Sequence, residues 1–282
     1  MSNLSGIIKT MRNIMREDSG INGDAQRIEQ LAWMLFLKIF DDKDKEQELI
    51  QDNYKSPIPP KLQWRNWAAD NEGMTGEELQ RFVDGELFPQ LGELSATNPR
   101  SLMVREVFEG NHNFIKSGTV LRKLLNKLNE IDFNKATERH LFGELYETIL
   151  KELQSAGSSG EFYTPRPITQ FIIDVLNPQL HETLLDPACG TCGYLTCAVE
   201  HLKKQVNTVD AQRQMQKNIM GWEWKPLPYV LGVTNLILHD IEVPNITHRD
   251  GFDKALSEYK QKDRVDIIAA NPPFGGVVSN GY

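Results

Sequence analysis

The sequence has no apolar run long enough to cross a bilayer. Its longest, LAWMLFL at residues 31–37, is closed by Lys38, whereas a spanning helix needs about 20 apolar residues. Cysteine is scarce, three in 282 residues, too few for a disulfide framework and consistent with a reducing compartment. The opening segment, MSNLSGIIKTMRNIMRED, is charged every few residues and holds no signal-peptide core, so the expected location is cytoplasmic. Basic charge is also short, with a net charge of −8. Nonspecific grip on a phosphate backbone comes mainly from Lys and Arg displacing counterions. If the substrate is a nucleic acid, a local basic patch or a partner must supply much of the hold. No fixed-period repeat is present, and no phosphate-binding loop of the Gly-x-x-x-x-Gly-Lys-Ser/Thr kind.

What is present changes character near the middle of the chain. Up to about residue 155 the periodicity is helical. Ile7, Ile8, Met11, Ile14 and Met15 recur at helical spacing. Asp24 is the expected cap of a long helix bearing Ile28, Leu31, Ala32, Leu35, Phe36 and Ile39, a stripe that Trp33 and Met34 widen. Residues 119–131 and 141–153 (LFGELYETILKEL) are amphipathic. The proline-rich KSPIPPKLQWRNW (55–67) reads as a loop pinned by its tryptophans, with a contact surface for a partner or DNA as the alternative. The run DDKDKEQE (41–48) reads as a solvated face or helix end. QSAGSSGE (154–161) is a linker by composition.

Beyond it, TLLDPA, IMGWEW, NITHRD and VDIIAAN read as short strands, with helical stretches between the first three. Such alternation predicts an α/β domain with a mostly parallel sheet. Sheets of that kind bind ligands beyond the carboxyl ends of their strands.

Four stretches at those ends carry chemistry. In DPACGTCGYL, Asp186 ends a strand and Gly190 and Gly193 bracket a turn into a helix. Glycine permits positive φ and close backbone approach to a ligand. The same letters contain a Cys-x-x-Cys, which by itself also fits a redox pair or half of a zinc site. In GWEW, Glu223 closes the next strand, where a carboxylate accepts both hydroxyls of a ribose. Asp250, in HRDGF, offers a third polar group on the same edge, suited to an adenine amine. NPPF, Asn271 to Phe274, follows an apolar strand. Adenine's exocyclic amine is a poor nucleophile because its lone pair is delocalised. An Asn oxygen and the Pro272 carbonyl can each accept one of its N–H bonds, with Pro273 stiffening the array and Phe274 stacking on an extruded base. Asn-Pro-Pro is equally serviceable as a plain strand-ending turn. Upstream, in GEFYTPRPITQFIIDVL, Thr164 is an expected N-cap with Pro165 at the first helical position. The exposed N–H groups there suit a carboxylate.

EFYTP, DPACGTCGYL, GWE and NPPF, in that order behind a helical region, resemble the N6-adenine DNA methyltransferases. More closely they resemble the modification (M) subunits of type I restriction–modification systems. The resemblance implies a helical N-terminal domain (1–155) followed by a partial Rossmann-like methyltransferase domain (156–282). It implies S-adenosyl-L-methionine as cofactor and methyl transfer to N6 of a flipped adenine in double-stranded DNA. Carried over by match, Glu161, Phe162, Tyr163, Thr164, Pro165 and Arg166 line the methionine end. Asp186, Gly190, Thr191, Cys192 and Gly193 form the cofactor loop, Glu223 takes the ribose, and Asp250 approaches the adenine. Asn271, Pro272, Pro273 and Phe274 hold the target base. The implied partners are a specificity (S) subunit, a second M subunit and a motor/nuclease (R) subunit; no metal is implied.

Three departures shape the expectations. Cys192 stands where the family usually has glycine or another small residue, and is expected to weaken cofactor binding without abolishing it. Glu161 stands where glutamine is common. The sequence ends at Tyr282, soon after NPPF, so only the front part of the family's sheet is expected, with no methyl transfer by this chain alone. The competing expectation is a non-catalytic assembly module.

Overall fold

A computed structural model describes residues 3–133, 146, 164–251 and 253–272 of the chain. The chain divides into two compact units, Met1–Ile149 and Leu150–Tyr282. The linker expected at 154–161 and most of the amphipathic segment 141–153 lie outside the described residues; Tyr146 is helical and buried. Among the described residues no helix is long and apolar enough to cross a membrane.

The first unit is helical and is built around α2, Asp24–Ile50. α1 (Asn3–Met15) precedes it. The short α3 (Trp64–Trp67) and α4 (Gly76–Phe82) follow, with a π-helical turn at Val83–Leu87 leading into α5 (Phe88–Gly92). α6 (Pro99–Glu109) and α7 (Gly118–Asn129) come next. Every residue from Gln30 to Asp42 is buried, so α2 is core on all sides. Trp33 meets Phe88 and Phe108 edge-on at centroid separations of 5.1 and 6.3 Å, an arrangement suited to aromatic quadrupoles. Asp24 does not cap this helix. Gly23 does, with φ of 111°, and Asp24 is the first helical residue, bonded to Arg27. It complements the positive end of the helix dipole from inside the first turn.

DDKDKEQE forms the C-terminal end of α2, one of its two expected readings, but it is not a solvated face. Asp41, Asp42 and Asp44 are buried, not solvated, because basic side chains fold over them, several from other segments. Arg65 Nε donates to Asp41 at 2.8 Å and Lys38 Nζ to Asp42 at 3.1 Å. Asp44 accepts from Tyr54, Ser56 and Arg100. The segment 55–67 is pinned by its tryptophans as expected, but these lie on the short helix α3 and not in a loop: Trp64 and Trp67 are buried and packed edge-on at 5.5 Å. Their indole N–H groups donate to Asn129 and to the Leu62 carbonyl.

Among its described residues the second unit holds a four-stranded sheet of order β3-β2-β1-β4, all parallel. The strands are β1 Leu184–Asp186, β2 Ile219–Glu223, β3 Asn245–His248 and β4 Ile267–Ile268. α8 (Arg166–Leu176) precedes β1. α9 (Gly193–Lys203) and α10 (Val209–Asn218) connect β1 to β2, and α11 (Pro226–Leu238) connects β2 to β3. Between β3 and β4 the described residues form only short 3-10 turns, at Leu256–Glu258 and Gln261–Asp263. Parallel register pairs Leu185 with Ile268 on one side and with Met220 on the other. The carboxyl ends of β1, β2 and β4 therefore open onto one edge.

Candidate active site

At that edge the chain leaves β1 through Asp186 and turns sharply. Gly190 has φ of 52° and Cys192, the N-cap of α9, has φ of 64°. A Cβ added at Gly190 meets nothing within 4 Å, so the outer face of the turn is open to a ligand. The turn is held from below. Cys189 N donates to the Trp222 carbonyl at 2.9 Å, and Gly190 N donates to Glu223 Oε2 at 2.8 Å. Glu223 Oε1 accepts from Lys225 N at 2.8 Å. Burial raises the Glu223 carboxyl above its ordinary value, against the pull of these amides. A carboxylate has about four lone-pair sites, so Glu223 keeps accepting capacity beside these amides. The donor set and the open turn thus fit a ribose-bearing cofactor. Asp186 is 2% exposed and accepts from Ala188 N at 3.1 Å. Burial pushes its carboxyl up to about 7, and the nearby Glu223 charge pushes the same way.

The Cys-x-x-Cys is buried in the floor of the turn. The Cys189 and Cys192 sulfurs lie 3.7 Å apart, and both residues are buried. The hydrogen bond from Cys192, followed by burial, raises the Cys189 thiol well above its ordinary value. A thiol held that way is a poor nucleophile, which removes the motivation for a redox reading. The Cys192 side chain is fully buried, so whatever it crowds lies beneath the turn, not on its ligand side. There it meets Gly232 of α11. A Cβ at Gly232 would sit 2.7 Å from Cys192 Sγ and 2.8 Å from the Gly190 carbonyl oxygen. Gly232→Ala is therefore expected to overpack the floor, lift the turn and weaken cofactor binding about tenfold, since overpacking costs about 1–3 kcal/mol. Titration calorimetry against wild type checks this, and unchanged affinity refutes it.

β4 brings Asn271 and Pro272 to the same edge. Asn271 Nδ2 donates to Thr164 Oγ1 at 2.9 Å, so the first and last motifs in sequence meet in space. Asn271 is half-buried and Pro272 exposed, while Pro273, Phe274, Glu161, Phe162 and Tyr163 lie outside the described residues. After β3, the loop carrying Asp250 packs against the turn after β1: a Cβ at Gly251 would lie 2.2 Å from the Pro187 carbonyl oxygen.

One expectation at α8 is corrected. Thr164 is not its N-cap; Pro165 is, and Pro167 occupies the first turn. Pro167 lacks an N–H, and the amides of Ile168 and Thr169 already bond the Pro165 carbonyl. Little remains there for a carboxylate ligand. Arg166 is tied within the protein. Its guanidinium pairs with Glu200 of α9 at 2.7 Å, while the other Glu200 oxygen lies 3.3 Å from His239 Nε2. The His239 contact first, and then Arg166, bring Glu200 down to about 2. Glu200, His239, Gly232 and Asn235, whose amide holds the Thr191 carbonyl at 3.0 Å, carry no signal in the sequence. Each lies on or beside a helix whose apolar stripe masks it, and no local pattern marks its role.

Comparison with known proteins adds an independent line. The N-6 DNA Methylase model matches residues 137–280, and the HsdM N-terminal domain model matches residues 4–128. The chain is 50% identical to the type I restriction enzyme EcoEI methylase subunit of Escherichia coli, covering 99% of this chain and 57% of that protein. It is 29% identical to the StySPI methylase subunit of Salmonella potsdam, covering 88% of this chain and 46% of that protein. The chain thus spans about half the length of the curated relatives it matches. Among solved structures, a modification subunit of a putative type I restriction enzyme from Vibrio vulnificus YJ016 superposes with a TM-score of 0.86 at 42% identity, over 97% of this chain and 61% of that one. A chain of a type I R-M system complex superposes with a TM-score of 0.82 at 33% identity, over 98% of this chain and 56% of that one.

Proposed function

The chain belongs to the N-6 DNA methylase family, and on that footing we propose that it carries the cofactor site and amine-acceptor motif of a type I adenine-specific DNA methyltransferase. The observation that carries this reading is the pairing of β1 with β4, which sets the Gly190 turn and Asn271 at one sheet edge. S-adenosyl-L-methionine, when bound, supplies an electrophilic methyl group. On this reading Asp186, Gly190, Thr191, Cys192 and Gly193 hold it, Glu223 accepts from its ribose and Asp250 approaches its adenine. The segment from Glu161 to Arg166 borders the methionine end, with Arg166 acting through Glu200.

The target amine needs two acceptors. Asn271 Oδ1 and the Pro272 carbonyl supply them, and Pro273 and Phe274 complete the seat for a base flipped from the duplex. The residues work by orientation and preorganised dipoles, and the scheme needs no covalent enzyme intermediate. Because net charge is −8, much of the hold on double-stranded DNA falls to partners: a specificity subunit, a second modification subunit and, for restriction, a motor/nuclease subunit, all in the cytoplasm.

Calorimetry with S-adenosyl-L-methionine tests the proposal on the chain itself. Saturable binding is expected, weakened about tenfold or more by Glu223→Gln, which turns one acceptor oxygen into a donor facing a backbone N–H. Circular dichroism verifies that the variant is folded. No binding of S-adenosyl-L-methionine or S-adenosyl-L-homocysteine, with capture of a specificity subunit intact, would support the non-catalytic assembly reading instead.

A further inference from the structure

We infer that Thr164 is a positioning residue that sets which end of the Asn271 carboxamide faces the target amine. The inference rests on the reading of Asn271 as an amine acceptor. A carboxamide has an accepting end and a donating end, and rotation about its last bond exchanges them. Turned the wrong way, it presents N–H to N–H and the amine loses an acceptor. In the structure Nδ2 is engaged, donating to Thr164 Oγ1 at 2.9 Å. That contact leaves Oδ1 as the end available to accept.

The Thr164 hydroxyl is itself oriented. It lies beside the phenol of Tyr194, whose titration it influences, a buried residue directly after Gly193 in the first turn of α9. A hydroxyl that accepts from Asn271 has its proton left to turn toward Tyr194, so the two contacts are compatible. The backbone carrying Thr164 is anchored on its other side: Pro165 has restricted φ, and Arg166 is tied to Glu200 at 2.7 Å. The chain Tyr194–Thr164–Asn271 thus connects the helix after the Gly190 turn to the strand end bearing the acceptors. It also assigns to Thr164 a role distinct from lining the methionine end of the cofactor.

Thr164→Val keeps shape and removes the hydroxyl; Thr164→Ser keeps the hydroxyl. With asparagine labelled with nitrogen-15 and Asn271→Asp used to assign its signal, the Asn271 side-chain amide resonance is expected to move in Thr164→Val. In Thr164→Ser it is expected to return close to its wild-type position. In the assembled enzyme, methyl transfer should fall about tenfold in Thr164→Val, the equivalent of one hydrogen bond. Thr164→Ser should recover it, and the rate lost in Thr164→Val should exceed any change in its cofactor affinity. An Asn271 resonance indifferent to Thr164→Val overturns the inference. So does a loss of cofactor affinity that accounts for the whole rate change, because Thr164 would then act on the cofactor alone. Cofactor binding by the wild-type chain is measured separately and judges the methyltransferase reading by itself.

Discussion

At pH 8, Asp186→Asn is expected to stabilise the α/β unit by about 3–4 kcal/mol, and the gain is expected to vanish toward pH 4. In the folded protein burial raises the carboxyl from 3.8 to about 7, and each tenfold gain in proton affinity is worth about 1.36 kcal/mol. Between those two values the folded state holds a proton that the unfolded chain has released. Wild-type stability therefore falls as pH rises through that window and levels off above it. Asparagine carries no such proton, retains an acceptor for Ala188 N, and shows no corresponding decline. Hydrogen exchange of the β1 and β2 amides in the whole chain, measured from pH 5 to pH 8, reads the difference. A gap between variant and wild type that stays constant over this range would contradict the argument. The cost of an ionised, buried carboxylate is intelligible if Asp186 serves the cofactor, since active sites are where stability is commonly given up for function.

Asp44→Ala is expected to destabilise the helical unit by about 3–5 kcal/mol, the usual penalty for removing one partner of a buried ion pair. Asp44 is 1% exposed. It accepts from Tyr54 Oη at 2.6 Å, from Ser56 Oγ, and from Arg100 at 2.5 Å. Arg100 in turn lies over the Phe40 ring at 4.6 Å. Alanine leaves a guanidinium and two hydroxyls facing a void that water reaches poorly. Asp44→Asn, which keeps an acceptor oxygen but no charge, should fall between wild type and alanine. Urea unfolding followed by tryptophan fluorescence and circular dichroism supplies the measurement. A loss below about 1 kcal/mol would place Asp44 among ordinary surface substitutions and contradict the burial.

Much of the architecture is legible in the residues alone. The apolar positions of α2 recur at three and four, so a buried helix follows from local spacing. The strands β1 to β4 fall inside the expected runs TLLDPA, IMGWEW, NITHRD and VDIIAAN. Short apolar runs closed by Asp186, Glu223 and Asn271 carry that information locally. Pairing is a different matter. Asn271 and Thr164 are 107 positions apart, Asp44 and Arg100 are 56 apart, and Gly190 and Glu223 are 33 apart. No periodicity spans such separations. The acidic run 41–48 misleads for this reason: alternating charges look solvated until Arg65 and Arg100 are known to fold over them.

By itself, then, the sequence determined the helical and α/β halves, the order of the strands along the chain, and the four motifs that mark the family. Those properties depend on residue spacing and on the few residue types a turn or strand end tolerates. Only the tertiary structure decided that Arg166 faces Glu200, that Cys192 points under the turn toward Gly232, and that Thr164 holds Asn271 instead of capping α8. The physical reason is competition among partners. A hydroxyl, guanidinium or thiol has several neighbours it can satisfy, and only the packing of distant segments determines which one it meets.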